Sequence, residues 1–252
     1  MSKKPRANKQ IKPSHETPKI KVLAAVPACH SDHVKYREQI KQAIQANIDK
    51  NVDVEITLSI CEDSDNNVDK TSVWNWNPVI AKFQALSDRA INEAFDYLWI
   101  VEADVVVPEN ALSRLLGDKA DVVAAVVPYK FQNDEYWEQY GYAKGERPAG
   151  GHIYDGMACA GYFNPDKDGK PTFETTTLYV PKIKDKLLVG SPEHMIFNGT
   201  GCILVKKTVL EKIRWRWDNI TCGFDMFFWQ DAQRLGFNCV TDGYVICKHL
   251  GK

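Results

Sequence analysis

The sequence has almost no excess of charge of either sign and no long apolar run. Its 32 basic and 33 acidic residues give a net charge of −1, so nothing indicates a general affinity for nucleic acid or for anionic membranes. No segment approaches the ~18 consecutive apolar residues of a membrane span, and the N-terminus lacks the apolar core of a secretory signal. Hydrophobic residues still make up 44% of the chain, enough for a folded core. We therefore expect a cytoplasmic, globular protein.

Paired cysteines and the common phosphate-binding fingerprints are also lacking. The seven cysteines form no CxxC pair, which is typical of reduced thiols and argues against a zinc or disulfide framework. No GxGxxG is present. The Gly-rich segment 198–202 is not followed by the Gly-Lys-Ser/Thr of a P-loop. A plain tight turn and a close backbone approach to a ligand both remain open for this segment.

The first 19 residues differ in composition from the rest of the chain. They hold six basic side chains and hardly any large apolar ones, which predicts a disordered basic tail. A solvated tail is the simple interpretation, and a tether to a membrane or nucleic acid is the alternative. Residues 20–252 are expected to form a single domain, since single α/β domains often reach this size.

Apolar patterning in the first half of this domain alternates between strand and helix. Strands are predicted at 20–26, 52–60, 97–101 and 121–127, with helices at 34–49, 79–95 and 110–116 between them. This order favours an α/β fold with a mostly parallel sheet flanked by helices. Near the C-terminus we expect a strand at 202–205, helices at 207–213 and 224–235, and a last strand at 240–247.

The segment near 130–190 breaks this pattern. It is rich in Gly, Pro, Tyr and charged residues, and we expect an irregular insertion with short strands only near 175–180 and 186–189. Long irregular insertions are usually functional or mobile. A lid and an ordinary packed subdomain are the two interpretations of this segment. Its candidate lid aromatics are Tyr136, Trp137, Tyr140, Tyr142 and Tyr154.

Two carboxylates follow the strand predicted at 97–101. In an extended segment, Glu102 and Asp104 point the same way, with Ala103 between them. Ligands of a parallel sheet gather beyond the carboxyl ends of its strands, and two carboxylates there can bind a divalent cation. A solvated acidic turn is the alternative. His249, at the end of the last strand, would join this site as an imidazole ligand that favours Mn²⁺ over Mg²⁺, or would simply be packed.

Asp225 opens the helix predicted at 224–235. A carboxylate at a helix N-terminus can be a cap, because it accepts from backbone N–H groups there. It can equally be a catalytic base.

Taken in order, these segments resemble the glycosyltransferases of the GT-A fold, family 2-like. Residues 96–124 resemble their DXD region, and 198–210 resemble their Gly-rich strand and helix on the acceptor side. Residues 224–228 resemble the Glu-Asp base motif, and 236–249 resemble the terminal strand with its metal-binding histidine. The resemblance covers roughly 20–129 and 196–251. Two positions differ from the pattern: the DXD motif begins with Glu102, and Phe224 stands where an acid is usual.

The resemblance implies a Rossmann-like GT-A fold and a set of site residues. Glu102 would lie near the ribose or the metal's waters, Asp104 and His249 would ligate Mn²⁺ or Mg²⁺, and Asp225 would be the general base. The insertion aromatics would stack on sugar. The remaining donor-binding positions would be Pro27, Ala28, Glu62 and Asp63 at the nucleoside and Lys82 at the diphosphate.

This set of residues predicts a metal-dependent, inverting glycosyltransferase. It would move a sugar from a nucleoside-diphosphate donor to a hydroxyl of a glycan, lipid-linked or other acceptor. A nucleotidyltransferase that makes nucleotide sugars is one alternative, but it would want a Gly-rich, basic loop after the first strand, where residues 27–32 read Pro-Ala-Cys-His-Ser-Asp. The other alternative is a GT-A-like domain that binds nucleotide or glycan without turnover, which Phe224 keeps open.

Overall fold

The computed structural model describes residues 19–27, 36–60, 76–128, 157–166, 171–191, 193–218 and 223–250. The basic tail up to residue 18 and the candidate lid aromatics lie outside these described residues.

Strands and helices alternate along the first half. The elements are β1 (Ile20–Val26), α1 (Arg37–Lys50), β2 (Val54–Ile60), α2 (Asn77–Asn92), β3 (Tyr97–Val101), β4 (Val105–Val106), α3 (Ala111–Gly117) and β5 (Val122–Val126). The second half contains β6 (Met157–Pro165), β7 (Pro171–Tyr179), α4 (Val180–Ile183), β8 (Leu187–Val189), β9 (Ile196–Asn198), β10 (Cys202–Lys206), α5 (Lys207–Leu210), α6 (Phe224–Arg234), β11 (Cys239–Ile246) and β12 (Lys248–His249).

Seven strands form a central sheet in the order β2-β1-β3-β10-β5-β11-β8. The pairs β1–β2, β1–β3 and β5–β11 are parallel, whereas β10 runs antiparallel to both β3 and β5, and β8 antiparallel to β11. This confirms the predicted α/β fold class, a Rossmann-like, mostly parallel sheet flanked by helices. Because β10 is antiparallel, its first residues lie at the same edge as the last residues of β3.

The core forms two layers, one on each face of this sheet. Alternate residues of a strand point to opposite faces, so Leu98 and Ile100 pack into one layer while Trp99 and Val101 pack into the other. Helices α2 and α6 cover the first face, and α1 and α3 cover the second. No helix among the described residues is long and apolar enough to cross a bilayer.

In the described part of the predicted insertion, the short strands expected near 175–180 and 186–189 are present as β7 and β8, and β6 is a strand that was not predicted. Strands β7, β6 and β9 form a three-stranded antiparallel sheet. Strand β6 was not predicted, because residues 158–161 are all small and have little strand preference. A Cβ on Gly161 would lie 2.1 Å from the carbonyl oxygen of Thr176, so the two strands approach this closely only because residue 161 is glycine.

Candidate active site

The site is assembled where β3 ends and β10 begins. The amide of Glu102 donates to the carbonyl of Gly201 over 3.0 Å, one step beyond the last pair of the β3–β10 ladder. The chain then turns, and the amide of Val105 donates to the carbonyl of Glu102. Both predicted carboxylates of the DXD-like segment therefore lie beside the turn that joins β9 to β10.

Asp104 and His249 meet at this edge. Strand β12 pairs with β4 so that His249 lies opposite Val105, and the amide of Leu250 donates to the carbonyl of Asp104 over 2.6 Å. Nε2 of His249 is 3.5 Å from Oδ2 of Asp104, and the Asp104 residue is only 3% exposed. A short backbone ladder thus brings together two residues that are far apart in the sequence.

The contact of the other ring nitrogen of His249 indicates the tautomer of the imidazole. Nδ1 lies 2.8 Å from the carbonyl oxygen of Pro128. A carbonyl only accepts hydrogen bonds, so Nδ1 carries the proton in this contact. In neutral imidazole, Nε2 then presents its lone pair toward Asp104. Metal-ligating histidines are commonly oriented in this way.

Glu102 is turned toward the β9–β10 turn. The hydroxyl of Thr200 donates to Oε1 of Glu102 over 2.6 Å. Burial raises the pKa of Glu102 above its ordinary value, and the negative charges of Asp104 and Asp225 act in the same direction. The Thr200 hydrogen bond and His249 lower that pKa. Glu102 is therefore electrostatically coupled to both other carboxylates of the site.

Asp225 lies in the first turn of α6, after the N-cap residue Gly223. Its Oδ1 accepts from the amide of Met226 over 2.9 Å. Its Oδ2 is 3.9 Å from the point that a Cβ on Gly199 would occupy. Burial raises the pKa of Asp225 to about 6, and the hydrogen bonds from backbone amides only partly offset this rise. A helix N-terminus favours the ionised form of a carboxylate, but the loss of hydration has the larger effect here.

Phe224 occupies a position where an acid would be unfavourable. It is 4% exposed, and its ring centroid lies 5.1 Å from that of Phe83, 5.5 Å from Trp76 and 5.9 Å from Trp215. A carboxylate among these rings would lose its hydration without gaining a partner. Phe224 therefore anchors α6 to α2, and Asp225 is left as the acidic residue at this helix start.

The remaining predicted site residues are placed as follows. Pro27 directly follows β1, the strand that lies beside β3 in the sheet. Ala103, between the two carboxylates in the sequence, packs into the core with Val105. Lys82 lies half-buried on α2, next to the core residue Phe83. Ala28, Glu62 and Asp63 lie outside the described residues.

A metal site made by protein side chains alone is not found in the described ranges, where no three His, Cys, Asp or Glu side chains converge on one point. Asp104 and His249 form a pair, and Glu102, the third predicted ligand, bonds to Thr200 instead. Mg²⁺-like ions bound with nucleotides commonly use one or two protein carboxylates together with phosphate oxygens. The pair therefore fits a metal ion that arrives with a diphosphate.

Three residues of this edge were not singled out from the sequence as parts of the site. Pro128 orients His249, Thr200 holds Glu102, and the carbonyl of Cys159 accepts from the amide of Gly199 over 2.7 Å. Only the Gly-rich segment gave a signal, as a place where backbone could approach a ligand. Pro128 acts through its backbone, and Cys159 belongs to β6, which was not predicted, so neither position stands out in the sequence.

No protein-family model and no curated protein matches the chain. Among solved structures, A197 from STIV is similar at 14% identity and a TM-score of 0.45, over 92% of this chain and 87% of that one. The inositol-1-phosphate CTP transferase from T. maritima is similar at 10% identity and a TM-score of 0.39, over 92% and 89%. A glycosyltransferase involved in glycosylation of the major capsid of PBCV-1 is similar at 10% identity and a TM-score of 0.33, over 77% and 62%. Likenesses this distant identify neither a family nor an activity.

Proposed function

We propose that this protein is a metal-dependent glycosyltransferase that uses a nucleoside-diphosphate sugar and inverts the anomeric carbon. The observation that supports this proposal is that one segment, residues 198–201, contacts both Glu102, next to the proposed metal-binding pair, and Asp225, the proposed base. Gly201 and Thr200 bond to Glu102, beside the Asp104–His249 pair, and Gly199 lies beside Asp225. Transfer of a sugar from a diphosphate to a hydroxyl group requires a metal-binding pair and a base close to each other.

The charge balance of the site supports a bound cation. Glu102, Asp104 and Asp225 gather three carboxyl groups with His249 in a largely buried region. Like charges in low dielectric repel each other, so a divalent ion on Asp104 and His249 would stabilise the ionised site. When bound, the ion would supply charge neutralisation for the leaving diphosphate.

Asp225 supplies the base. A general base works best when its pKa is close to the working pH, and burial brings the pKa of Asp225 to about 6. The hydroxyl proton passes to Oδ2 of Asp225 while the hydroxyl oxygen bonds to the anomeric carbon. The bond from that carbon to the diphosphate oxygen breaks, and its electron pair leaves with the diphosphate. A single displacement of this kind inverts the anomeric configuration.

The test begins with a thermal-shift screen of nucleoside diphosphates, with and without Mn²⁺, because a ligand bound only by the folded state raises the melting temperature. Asp104→Asn should then abolish the Mn²⁺-dependent part of the binding, measured by calorimetry. Asp231→Asn is the matched control, since Asp231 pairs with Arg216 on the outer side of α6. Unchanged metal dependence in Asp104→Asn would refute the site.

Product analysis separates this function from the alternatives. Incubation of the protein with nucleotide sugars and Mn²⁺ should release nucleoside diphosphate. Pyrophosphate consumption or release would instead indicate a nucleotidyltransferase. Binding of a nucleotide sugar with no product over many hours would indicate a domain without turnover.

A further inference from the structure

The central sheet ends at β8, and among the described strands β8 has a neighbour, β11, on one side only. The amide of Gly190 donates to β11 over 2.9 Å, and the carbonyl of Lys186 accepts from β11 over 2.8 Å. In an antiparallel ladder, the residues that alternate with such bonded positions turn their N–H and C=O groups the other way. The backbone groups of Leu187 and Val189 therefore face the open edge, where no described backbone group bonds to them.

Apolar side chains lie next to this open edge. Because successive side chains alternate between the two faces of a sheet, Leu188 packs into the core while Leu187 and Val189 lie on the opposite face. They are 43% and 57% exposed, and Tyr244 of β11, whose ring lies under Arg114 of α3 on that face, is 52% exposed. We call Leu187, Val189 and Tyr244, with the outward backbone groups of β8, the β8 edge. Apolar side chains beside unpaired strand backbone form a template for another strand.

We propose that the β8 edge pairs with the β8 edge of a second copy of this chain. A two-fold axis at Leu188 places the two strands antiparallel, with Leu187 of each copy opposite Val189 of the other. These are the residues whose backbone groups face outward, so each such pair exchanges both of its hydrogen bonds. Their side chains meet on one face as apolar cross-strand pairs, which stabilise a sheet. The contact is self-complementary, as the interface of a two-fold dimer must be.

The charges on either side of β8 favour a second copy as the partner. The preceding segment 182–186 carries three lysines and one aspartate, all exposed, whereas Glu193 lies exposed in the turn that follows β8. Antiparallel pairing brings the basic segment of each copy next to Glu193 of the other, so the potentials of the two copies are complementary. Lysines within an edge strand often prevent pairing, but these precede β8 and leave Leu187 and Val189 uninterrupted.

This contact is separate from the proposed active site. In the sheet order, β5 and β11 lie between β8 and β10, the strand at whose start the site is assembled. Dimer formation should therefore leave turnover unchanged. Neither the pairing nor its test depends on the proposed function.

The first experiment measures mass by analytical ultracentrifugation, from low to high micromolar protein. The wild type should shift with concentration from the 28.6 kDa of one chain toward twice that mass. The variant Leu187→Lys with Val189→Lys should stay at the mass of one chain and keep its cooperative melting, because both side chains are exposed. Val52→Lys is the matched control, since Val52 is 70% exposed and precedes β2, at the other end of the sheet, and it should dimerise like the wild type. A wild type that stays monomeric, or a double variant that dimerises equally well, overturns the proposal.

Disulfide crosslinking tests the register. Leu187→Cys and Val189→Cys proteins are prepared separately and oxidised with diamide, which takes up the hydrogen atoms that the thiols lose. In the proposed register, positions 187 and 189 of different copies have Cα atoms about 5.5 Å apart, within the range that a disulfide spans, whereas identical positions lie more than ~7 Å apart.

The crosslink between positions 187 and 189 should therefore appear when the two proteins are mixed, and neither protein alone should crosslink at its new cysteine. Mass spectrometry of proteolytic fragments distinguishes this disulfide from those of the seven native cysteines. A mixture without the crosslink, or an equal crosslink within either protein alone, overturns the proposed pairing.

Discussion

At the scale of single residues, Asp225 is mostly ionised at neutral pH and yet accepts a proton readily. One oxygen accepts a hydrogen bond from the amide of Met226, and the other lies near Gly199. Burial raises the pKa of this carboxyl to about 6, so the group remains mostly ionised at neutral pH and still accepts a proton readily. A carboxylate of this kind is costly for the folded state and useful for a base.

Replacement of Asp225 by Asn should therefore separate activity from stability. Turnover should fall by ~10²–10⁴-fold, the usual contribution of a general base, with donor affinity nearly unchanged. In the wild type, turnover should also decline as the pH falls below about 6. Steady-state kinetics and calorimetry on this one variant decide the point. Near-normal turnover would remove Asp225 from the mechanism and leave it as a helix-terminal carboxylate only.

The same substitution should raise stability at neutral pH. Because the folded pKa of Asp225 lies above its unfolded value, its contribution is fully present below the unfolded pKa and is lost as the pH rises through about 6. Asn avoids this loss, so Asp225→Asn should gain about 1–3 kcal/mol at pH 7.5. Urea unfolding at pH 7.5 and at pH 4.5 measures the difference, which should be clearly smaller at the lower pH because pH 4.5 lies between the unfolded and the folded pKa.

A second acidic pair, Asp118 and Asp242, should make stability depend on pH without affecting the site. Asp242 is fully buried and accepts from Nε of Arg114 over 2.7 Å. Burial raises the pKa of Asp118 to about 6, as do the charge of Asp242 and the hydrogen bond that the two carboxyls share, while Arg114 opposes the rise. Stability from Asp118 is thus lost as the pH rises through about 6.

Asp118→Asn should reduce this loss. We expect a gain on the order of 1 kcal/mol at pH 7.5, because partial exposure of Asp118 limits the effect, and little gain at pH 4.5. Urea midpoints at both pH values measure it. An equal shift at both would indicate a change in packing rather than in titration.

At the scale of elements, the start of α6 is fixed by aromatic packing against α2. The rings of Trp215 and Phe228 stack with centroids 4.0 Å apart, and Trp215 also meets Phe83 and Phe224 edge-on. This cluster holds Phe224, the residue that precedes Asp225. Stacked and edge-to-face aromatic pairs add stability beyond their buried area, so Asp225, the proposed base, lies next to a well-packed part of the molecule.

Phe224→Glu should therefore damage the protein even though it restores the acid pair of the family that the chain resembles. A carboxylate buried among these rings should cost roughly 3 kcal/mol or more of stability. Phe224→Leu, an apolar control, should cost less. Urea unfolding compares the two. A Phe224→Glu protein with wild-type stability and raised turnover would contradict this account of the cluster.

The order of elements could be predicted from the sequence better than their pairing. Buried runs such as Tyr97–Val101 and Val122–Val126 have the composition of interior strands. The antiparallel direction of β10 could not be predicted, because an apolar run has the same composition in either direction. The sheet of β6, β7 and β9 was not predicted for a related reason. Its strands are joined by hydrogen bonds between backbone groups, and these bonds have little influence on which side chains the strands carry.

The same limit applies to the site. Glu102, Asp104, Asp225 and His249 could be selected from residue type and position at strand or helix ends, and the structure places them at one edge. Thr200 and the carbonyl of Pro128 could not, because each acts through a contact that exists only after β10 and β12 have paired.

At the scale of the whole molecule, the first 18 residues should be dispensable. They carry five basic side chains and few apolar ones, while the described core begins within β1. A protein lacking residues 1–18 should keep its cooperative melting transition, its stability within about 0.5 kcal/mol and its turnover. Differential scanning calorimetry and the donor assay test this, and loss of the cooperative transition would show that the tail packs on the domain.

The position of β10 has a consequence for how the chain reaches its folded state. Strands β3 and β5 are not neighbours, and each pairs with β10 instead, Val101 with Cys202 and Ala124 with Ile203. The paired residues are 101 and 79 positions apart in the sequence (202 − 101 and 203 − 124), and such long-range pairings slow folding because loop closure must come first. Until β10 inserts, both strands present open apolar edges. Refolding from denaturant should accordingly be slow, and its yield should fall steeply with protein concentration as those edges pair between molecules.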